Sequence, residues 1–168
     1  IDIVRILKHA SKAWDGGHFM CGVVGHGLTF AYRDPHGIRP GFYYEDDEVV
    51  ACASERVALA TCFSVGSEDI HEVAPGHALV IDPHGKASML QVKEPKENAQ
   101  CRFERIYFSR GNDRDIYRER KALGYELATP VLEAAERDLS RVVVSYVPNT
   151  AEVSYYGLLE GLDDKMAE

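Results

Sequence analysis

Arg33-Asp34-Pro35-His36-Gly37-Ile38-Arg39-Pro40 constrains the fold of this chain more than any other stretch. Pro35 and Pro40 fix φ, Gly37 is free to take a positive φ, and apolar strand-like runs lie on both sides, so the segment must be a turn of defined shape. Asp34, Arg33 and Arg39 can bond nearby backbone groups and pin such a turn between strands. Turn chemistry accounts for every residue type in the run. A second run, Ala53-Ser54-Glu55-Arg56-Val57-Ala58-Leu59, follows at a short interval. Ser54 there is an N-cap candidate for a short helix reaching about Cys62.

The rest of the first hundred residues reads as helix and hairpins. Ile3, Val4, Leu7, Ala10 and Trp14 recur at helical spacing, which predicts an amphipathic helix over 2–14, capped by Asp2 and stopped by Asp15-Gly16-Gly17. Residues 18–25 and 28–32 are expected to pair across Gly25-His26-Gly27. Residues 42–45 and 48–53 form a second hairpin around Glu45-Asp46-Asp47. Residues 77–81 and 87–92 form a third across Asp82-Pro83-His84-Gly85. An antiparallel meander with helices on one side is the expected α+β unit.

Composition changes at Lys93-Glu94-Pro95-Lys96-Glu97-Asn98-Ala99-Gln100, a polar, proline-bearing stretch with linker character. Residues 103–108 read as one more strand. From Asp113 the pattern is helical, with Ile116, Leu123, Leu127 and Val131 on one face, and Pro130 should kink or split the helix, with Thr129 suited as the N-cap of a second segment. The apolar run 141–147 predicts a strand buried on both faces. Pro148-Asn149-Thr150 then turns into a helix beginning near Ala151, the opening of a βαβ-type unit.

Formal charge is −8, which argues against a nucleic-acid partner or an anionic membrane surface. Locally the balance reverses: 101–121 holds seven Arg or Lys against four acidic residues, a solvated helix face in the plain reading and a phosphate-facing patch in the sharper one. The apolar stretch around 19–32 is too short and too broken by Gly22, Gly25, His26 and Gly27 to span a bilayer. Four widely spaced cysteines (21, 52, 62, 101) fit neither a zinc site nor a disulfide framework. Cys21 and Cys52 read as small buried side chains, and a reducing cytoplasmic compartment fits. The seven histidines lack ligand spacing, and neither a nucleophile elbow nor a phosphate-binding glycine loop is present.

His26-Gly27, Arg33-Asp34-Pro35-x-Gly37-Ile38-Arg39-Pro40, Ala53-Ser54-Glu55-x-Val57-Ala58-Leu59 and Val73-Ala74-Pro75-Gly76 resemble, in order and rough spacing, the amidophosphoribosyltransferase family of class II glutamine amidotransferases. The Arg-Asp and Ala-Ser-Glu runs alone also resemble asparagine synthetases. Phe103-Glu104-Arg105-Ile106-Tyr107-Phe108-Ser109-Arg110 is similar to the segment by which the first family leaves its glutaminase domain. The helix with Arg118, Arg120 and Gly124 resembles the link into a phosphoribosyltransferase domain, and 142–150 its first strand and loop.

The resemblance implies the latter half of an Ntn-hydrolase αββα glutaminase sandwich over 1–93, a linker and connecting strand over 94–112, and a connecting helix with the start of a type I phosphoribosyltransferase domain over 113–168. It implies a parent enzyme that moves the glutamine amide nitrogen onto phosphoribosylpyrophosphate, giving phosphoribosylamine in the first step of purine synthesis, with Mg²⁺. The nucleophilic Cys of that family is expected upstream of Ile1, so the chain itself is expected to be inactive, to carry no catalytic or metal-binding residue and to hold no cofactor. Arg33, Asp34, Gly37, Arg39, Ser54 and Glu55 are expected to be structural. Asn149 and Thr150 are expected to lie near the pyrophosphate, although the family carries an acidic residue where Asn149 stands. Cys101 matches a ligand position of the [4Fe–4S] cluster found in some members. The expected partners are the two small-molecule substrates and further copies of the chain, with no nucleic acid and no membrane. The competing readings are another class II amidotransferase such as asparagine synthetase and a non-catalytic scaffold that kept the fold.

Overall fold

The computed structural model describes residues 1–167. They divide into two compact units, Ile1–Glu104 and the chain from Arg105 onward.

The first unit begins with helix α1, Ile3–Ala10, which Asp2 caps by accepting a hydrogen bond from the Arg5 N–H at 2.9 Å. Strands β1, Phe19–Val23, and β2, Thr29–Arg33, pair antiparallel across the expected glycine turn. Strands β3, Phe42–Glu45, and β4, Val50–Ala53, form the next hairpin and lead to helix α2, Arg56–Phe63. Strand β5, His71–Glu72, is followed by the hairpin of β6, His77–Ile81, and β7, Ala87–Gln91. Asp46 and Asp82 hold the last two hairpin turns by accepting from the N–H groups of Glu48 and Val49, and of His84 and Lys86, respectively.

These strands do not form the expected meander. They build two antiparallel sheets, in the orders β1-β2-β6-β7 and β4-β3-β5. Strand β2 pairs with β6 across the intervening 40s and 50s, and β3 pairs with β5. Hairpin signals are local, whereas the β2–β6 ladder is set by burial. Phe30, Tyr32, Ala78 and Val80 point to one face of the first sheet and pack with Ile3, Leu7 and Trp14 of the α1 region. Ala31 and Leu79 point the other way and meet Tyr43, Val50, Cys52 and Val73 from the second sheet's side. Period-two alternation thus serves two interfaces at once. On the second sheet's outer side Tyr44 stacks on Phe63 of α2, ring centroids 5.1 Å apart, and Leu59 is buried. The order through the unit is helix, sheet, sheet, helix.

Helix α2 starts later than its sequence signal. Its N-cap position is Glu55, which makes no side-chain capping bond, and exposed Ser54 lies one residue too early, in the bend leaving β4.

The second unit is helical. Helix α3, Arg114–Glu126, is capped by Asp113, which accepts from the Asp115 and Ile116 N–H groups. Helix α4, Ala128–Ala134, and helix α5, Glu152–Ala167, follow. Pro130 does separate α3 from α4, but Thr129 is not the cap. Helix α4 begins at Ala128 with Pro130 in its first turn, where a missing N–H breaks no intrahelical bond.

Three further expectations fail here. Residues 104–108 are a π-helical turn and not a strand, with Ile106, Tyr107 and Phe108 exposed. The buried stripe of α3 is Ile116, Arg120 and Gly124, while Leu123 and Leu127 face outward. Apolar counting missed it because α3 meets α5 through backbone. A Cβ at Gly124 would strike the Ser154 carbonyl, and one at Gly157 the Lys121 carbonyl. Finally, residues 142–147 form no strand, and Val143 is 92% exposed. A doubly buried strand needs neighbours to accept its hydrogen bonds, and among the described residues of this unit none lies beside it. The unit's core is Ala128, Leu132 and Leu162, with Val131, Leu139, Val144 and Leu158 around it.

Candidate functional site

The turn that dominates the sequence is also the most densely bonded polar feature of the first unit. Strand β2 delivers Arg33 and Asp34 to its buried end, where both side chains are almost inaccessible. The two divide the backbone between them. The Asp34 carboxylate accepts from the N–H groups of His36 and Ile38 at 3.0 Å each, Arg39 at 3.1 Å and His18 at 3.3 Å. The Arg33 guanidinium donates to the carbonyls of Arg39 at 2.8 Å, Val73 at 2.9 Å and Gly37 at 3.2 Å, and to the Glu72 carboxylate at 2.8 Å. Charge-assisted bonds of this kind are the stronger class, and together they satisfy a loop that would otherwise bury bare amides.

Gly37 sits at φ 61° with Pro75 so close that a Cβ would lie 3.1 Å from its ring. Gly76, at φ 73°, donates to the Asp34 carbonyl at 3.1 Å, so the Ala74-Pro75-Gly76 turn is tied to the same hub. The polar stretch with linker composition is tied there as well. The N–H groups of Lys96, Ala99 and Cys101 donate to the carbonyls of Pro35, His36 and Ile38. The Arg39 guanidinium meets the Glu104 carboxylate. One turn therefore fixes five places along the first unit: the start of β1, the 72–76 segment, 96–101, Glu104 and itself.

Beside the hub, Trp14, His18 and Tyr32 cluster, with ring centroids between 5.3 and 6.0 Å apart. Burial holds the His18 imidazole below its ordinary range, against the pull of Asp34, and burial raises the Tyr32 phenol. The chemistry available to this arrangement is positional: the charged groups are used to hold the chain's own backbone.

The other sequence candidates lie elsewhere. Ser54 and Glu55 stand at the β4–α2 junction. Asn149 is exposed and Thr150 half-buried, in the turn entering α5, where the Asn149 carbonyl accepts from the Glu152 N–H at 3.3 Å. Half-buried Cys101 contributes a single thiol, and among the described residues no three His, Cys, Asp or Glu side chains gather to hold a metal ion. A four-thiolate cluster does not fit that set.

Part of the basic run is taken up within the chain. Arg120, almost fully buried, donates to the carbonyls of Ile106 at 2.8 Å and Ser109 at 2.5 Å, closing the π-helical turn. Arg105 pairs with Glu119, and Lys121 with Glu160. The sequence shows Arg120 in the basic run and the connecting helix but gives no sign of its burial, because a buried arginine on a charged helix has no pattern of its own. In sequence Cys21 also reads as buried. Cys21 is exposed, and its Sγ lies 3.5 Å from Cys52 Sγ, β1 facing β4 across the sheets. No helix of the described chain is long and apolar enough to cross a membrane.

No family model matches the chain. Curated relatives do. It is 31% identical over 177 residues to an amidophosphoribosyltransferase of Pseudomonas aeruginosa, covering 99% of this chain and 34% of that protein. It is 33% identical over 138 residues to the Escherichia coli amidophosphoribosyltransferase, with 77% of this chain and 26% of the relative covered. It is 37% identical over 161 residues to the chloroplastic amidophosphoribosyltransferase 1 of Arabidopsis thaliana, at 92% and 26%. The chain thus spans about a third or less of the relatives it matches. Among solved structures, the glutamine phosphoribosylpyrophosphate amidotransferase of B. subtilis complexed with ADP and GMP superposes with a TM-score of 0.73 at 21% identity, over 97% of this chain and 34% of that one. An allosteric regulatory enzyme of purine biosynthesis gives 0.61 at 24%, over 81% and 28%. The mixed fold with antiparallel sheets is shared with both.

Proposed function

We infer that this chain, a relative of the amidophosphoribosyltransferases along nearly its whole length, is the part of such an enzyme that completes its glutaminase domain and leads into its phosphoribosyltransferase domain. The parent would release ammonia from glutamine and use it, with Mg²⁺, to displace pyrophosphate from phosphoribosylpyrophosphate. The helix–sheet–sheet–helix order of the first unit supports an Ntn-hydrolase reading of the glutaminase. The observation that carries the proposal is the match over 99% of the chain to the Pseudomonas aeruginosa protein. In this reading the Arg33–Pro40 hub is a scaffold that ties the end of the glutaminase to the segment leaving it. Asn149 and Thr150 would stand near the pyrophosphate through backbone N–H groups at the α5 start. The parent would work in a soluble compartment as a homo-oligomer.

The full-length gene product should release glutamate and pyrophosphate in equal amounts from glutamine and phosphoribosylpyrophosphate, and chelating Mg²⁺ should stop pyrophosphate release. The 168-residue chain alone should release no glutamate. Glutamine-dependent asparagine formation with ATP would move the assignment to the synthetases. Neither activity in the full-length protein would leave the scaffold reading.

A further inference from the structure

We propose that Cys21 and Cys52 form a dithiol that a peroxide oxidises to a disulfide joining the two sheets of the first unit. The pair is built by the fold and not by sequence proximity. Cys21 lies on β1 of the four-stranded sheet, Cys52 on β4 of the three-stranded one, and their Sγ atoms are 3.5 Å apart. A disulfide needs about 2.05 Å, so closure asks the sulfurs to approach by about 1.5 Å, within reach of small χ1 adjustments. Access is open: Cys21 is exposed and Cys52 half-buried.

The two thiols are also unlike one another. A hydrogen bond shared between the two thiols pulls the Cys52 thiol down to about 7 and, together with burial, pushes Cys21 up. That division suits a two-step oxidation. The Cys52 thiolate attacks one oxygen of the peroxide, the O–O bond breaks, Cys52 becomes a sulfenic acid, and the departing hydroxide leaves as water with a proton. The Cys21 sulfur then attacks the Cys52 sulfur and loses its own proton, the S–O bond breaks, and a second water departs. Two thiols have given two electrons and two hydrogens, and the peroxide has been reduced. The product ties β1 to β4, closing a loop between residues 31 apart in sequence. Such a staple should raise the thermal midpoint of this unit by about 5 °C or more.

The native chain is treated with near-stoichiometric hydrogen peroxide, quenched with N-ethylmaleimide and mapped by mass spectrometry. The expected product has lost two hydrogens and contains a peptide linked between Cys21 and Cys52, with Cys62 and Cys101 alkylated. The C62A/C101A double variant should behave identically. Cys21→Ser should accumulate a sulfenic acid at Cys52, captured by dimedone. In concentrated urea the linkage should form at least about tenfold more slowly, because the fold supplies the proximity. The proposal is overturned if linkage is statistical among the four thiols, if urea leaves its rate unchanged, if Cys62 or Cys101 oxidises first, or if the disulfide is between molecules.

Discussion

The two units of the chain reach order by opposite means. The first has two interfaces of alternating strand residues and, at their end, a buried Arg–Asp turn whose side chains stand in for missing backbone partners. The second has a short list of buried apolar residues and relies on glycine to bring α3 and α5 into backbone contact. In the first, specificity comes from directional bonds to a loop that could not otherwise be buried. In the second it comes from the absence of side chains, which lets dispersion and close packing act over a long contact. Polar deletions should therefore unfold the first unit and small enlargements the second.

The largest effect is expected at the turn. Asp34→Ala removes the acceptor for four N–H groups, three of them within the 36–39 loop. Leaving such donors buried costs about 1–3 kcal/mol each where water cannot replace the partner, so a total of about 4 kcal/mol or more is expected. Asp34→Asn keeps one carbonyl oxygen and should lose roughly half as much. The chain's single tryptophan, Trp14, packs near this hub, so its fluorescence in a urea titration reports the first unit. A wild-type midpoint for D34A would remove the hub from the account of this unit.

Gly157→Ala should come next, at about 3 kcal/mol, because the added methyl meets the Lys121 carbonyl and helix backbones cannot yield as a side chain can. Helical circular dichroism should melt earlier while the Trp14 signal keeps its midpoint. D34A should do the reverse. If both variants shift both signals together, the two modes of order are not separable and the comparison breaks.

The parts legible in the sequence were those with local causes. The Asp2 cap and the hairpin turns at Asp46 and Asp82 each follow from one side chain reaching a backbone group a few residues away, and the first hairpin turn from its own glycines. Arg33–Pro40 announced itself as a turn for the same reason. What could not be read was set by distant partners. The β2–β6 ladder, the backbone bonds that hold 96–101 and the burial of Arg120 depend on which surfaces meet. Residues 142–147 carry a strand's composition without the neighbours that make a strand. Of the candidate site, the identities of Arg33, Asp34, Gly37 and Arg39 were legible. That Glu72, Val73 and Glu104 complete their bonding was not.

The smallest effect sharpens the comparison at its edges. Asp46 and Asp82, in turns of the first unit, both hold their carboxyls below the ordinary 3.8, Asp46 chiefly through the Tyr44 hydroxyl and Asp82 chiefly through the Lys86 N–H. Asp138, in the second unit, is lowered chiefly by the Ser140 side chain. Since the folded values are depressed, each contribution is full above the unfolded carboxyl range near 3.9, and it fades as pH falls through the folded value. All three are solvent-screened, so acid should loosen these turns slightly without unfolding either unit. Carboxyl carbon shifts followed by NMR should give all three midpoints below 3.8. Low midpoints for Asp46 and Asp82 with an ordinary one for Asp138 would extend the contrast between the units down to single turns. Low midpoints at all three would mean that both units use the same exposed aspartate device, leaving the buried turn and the glycine contact as what truly separates them.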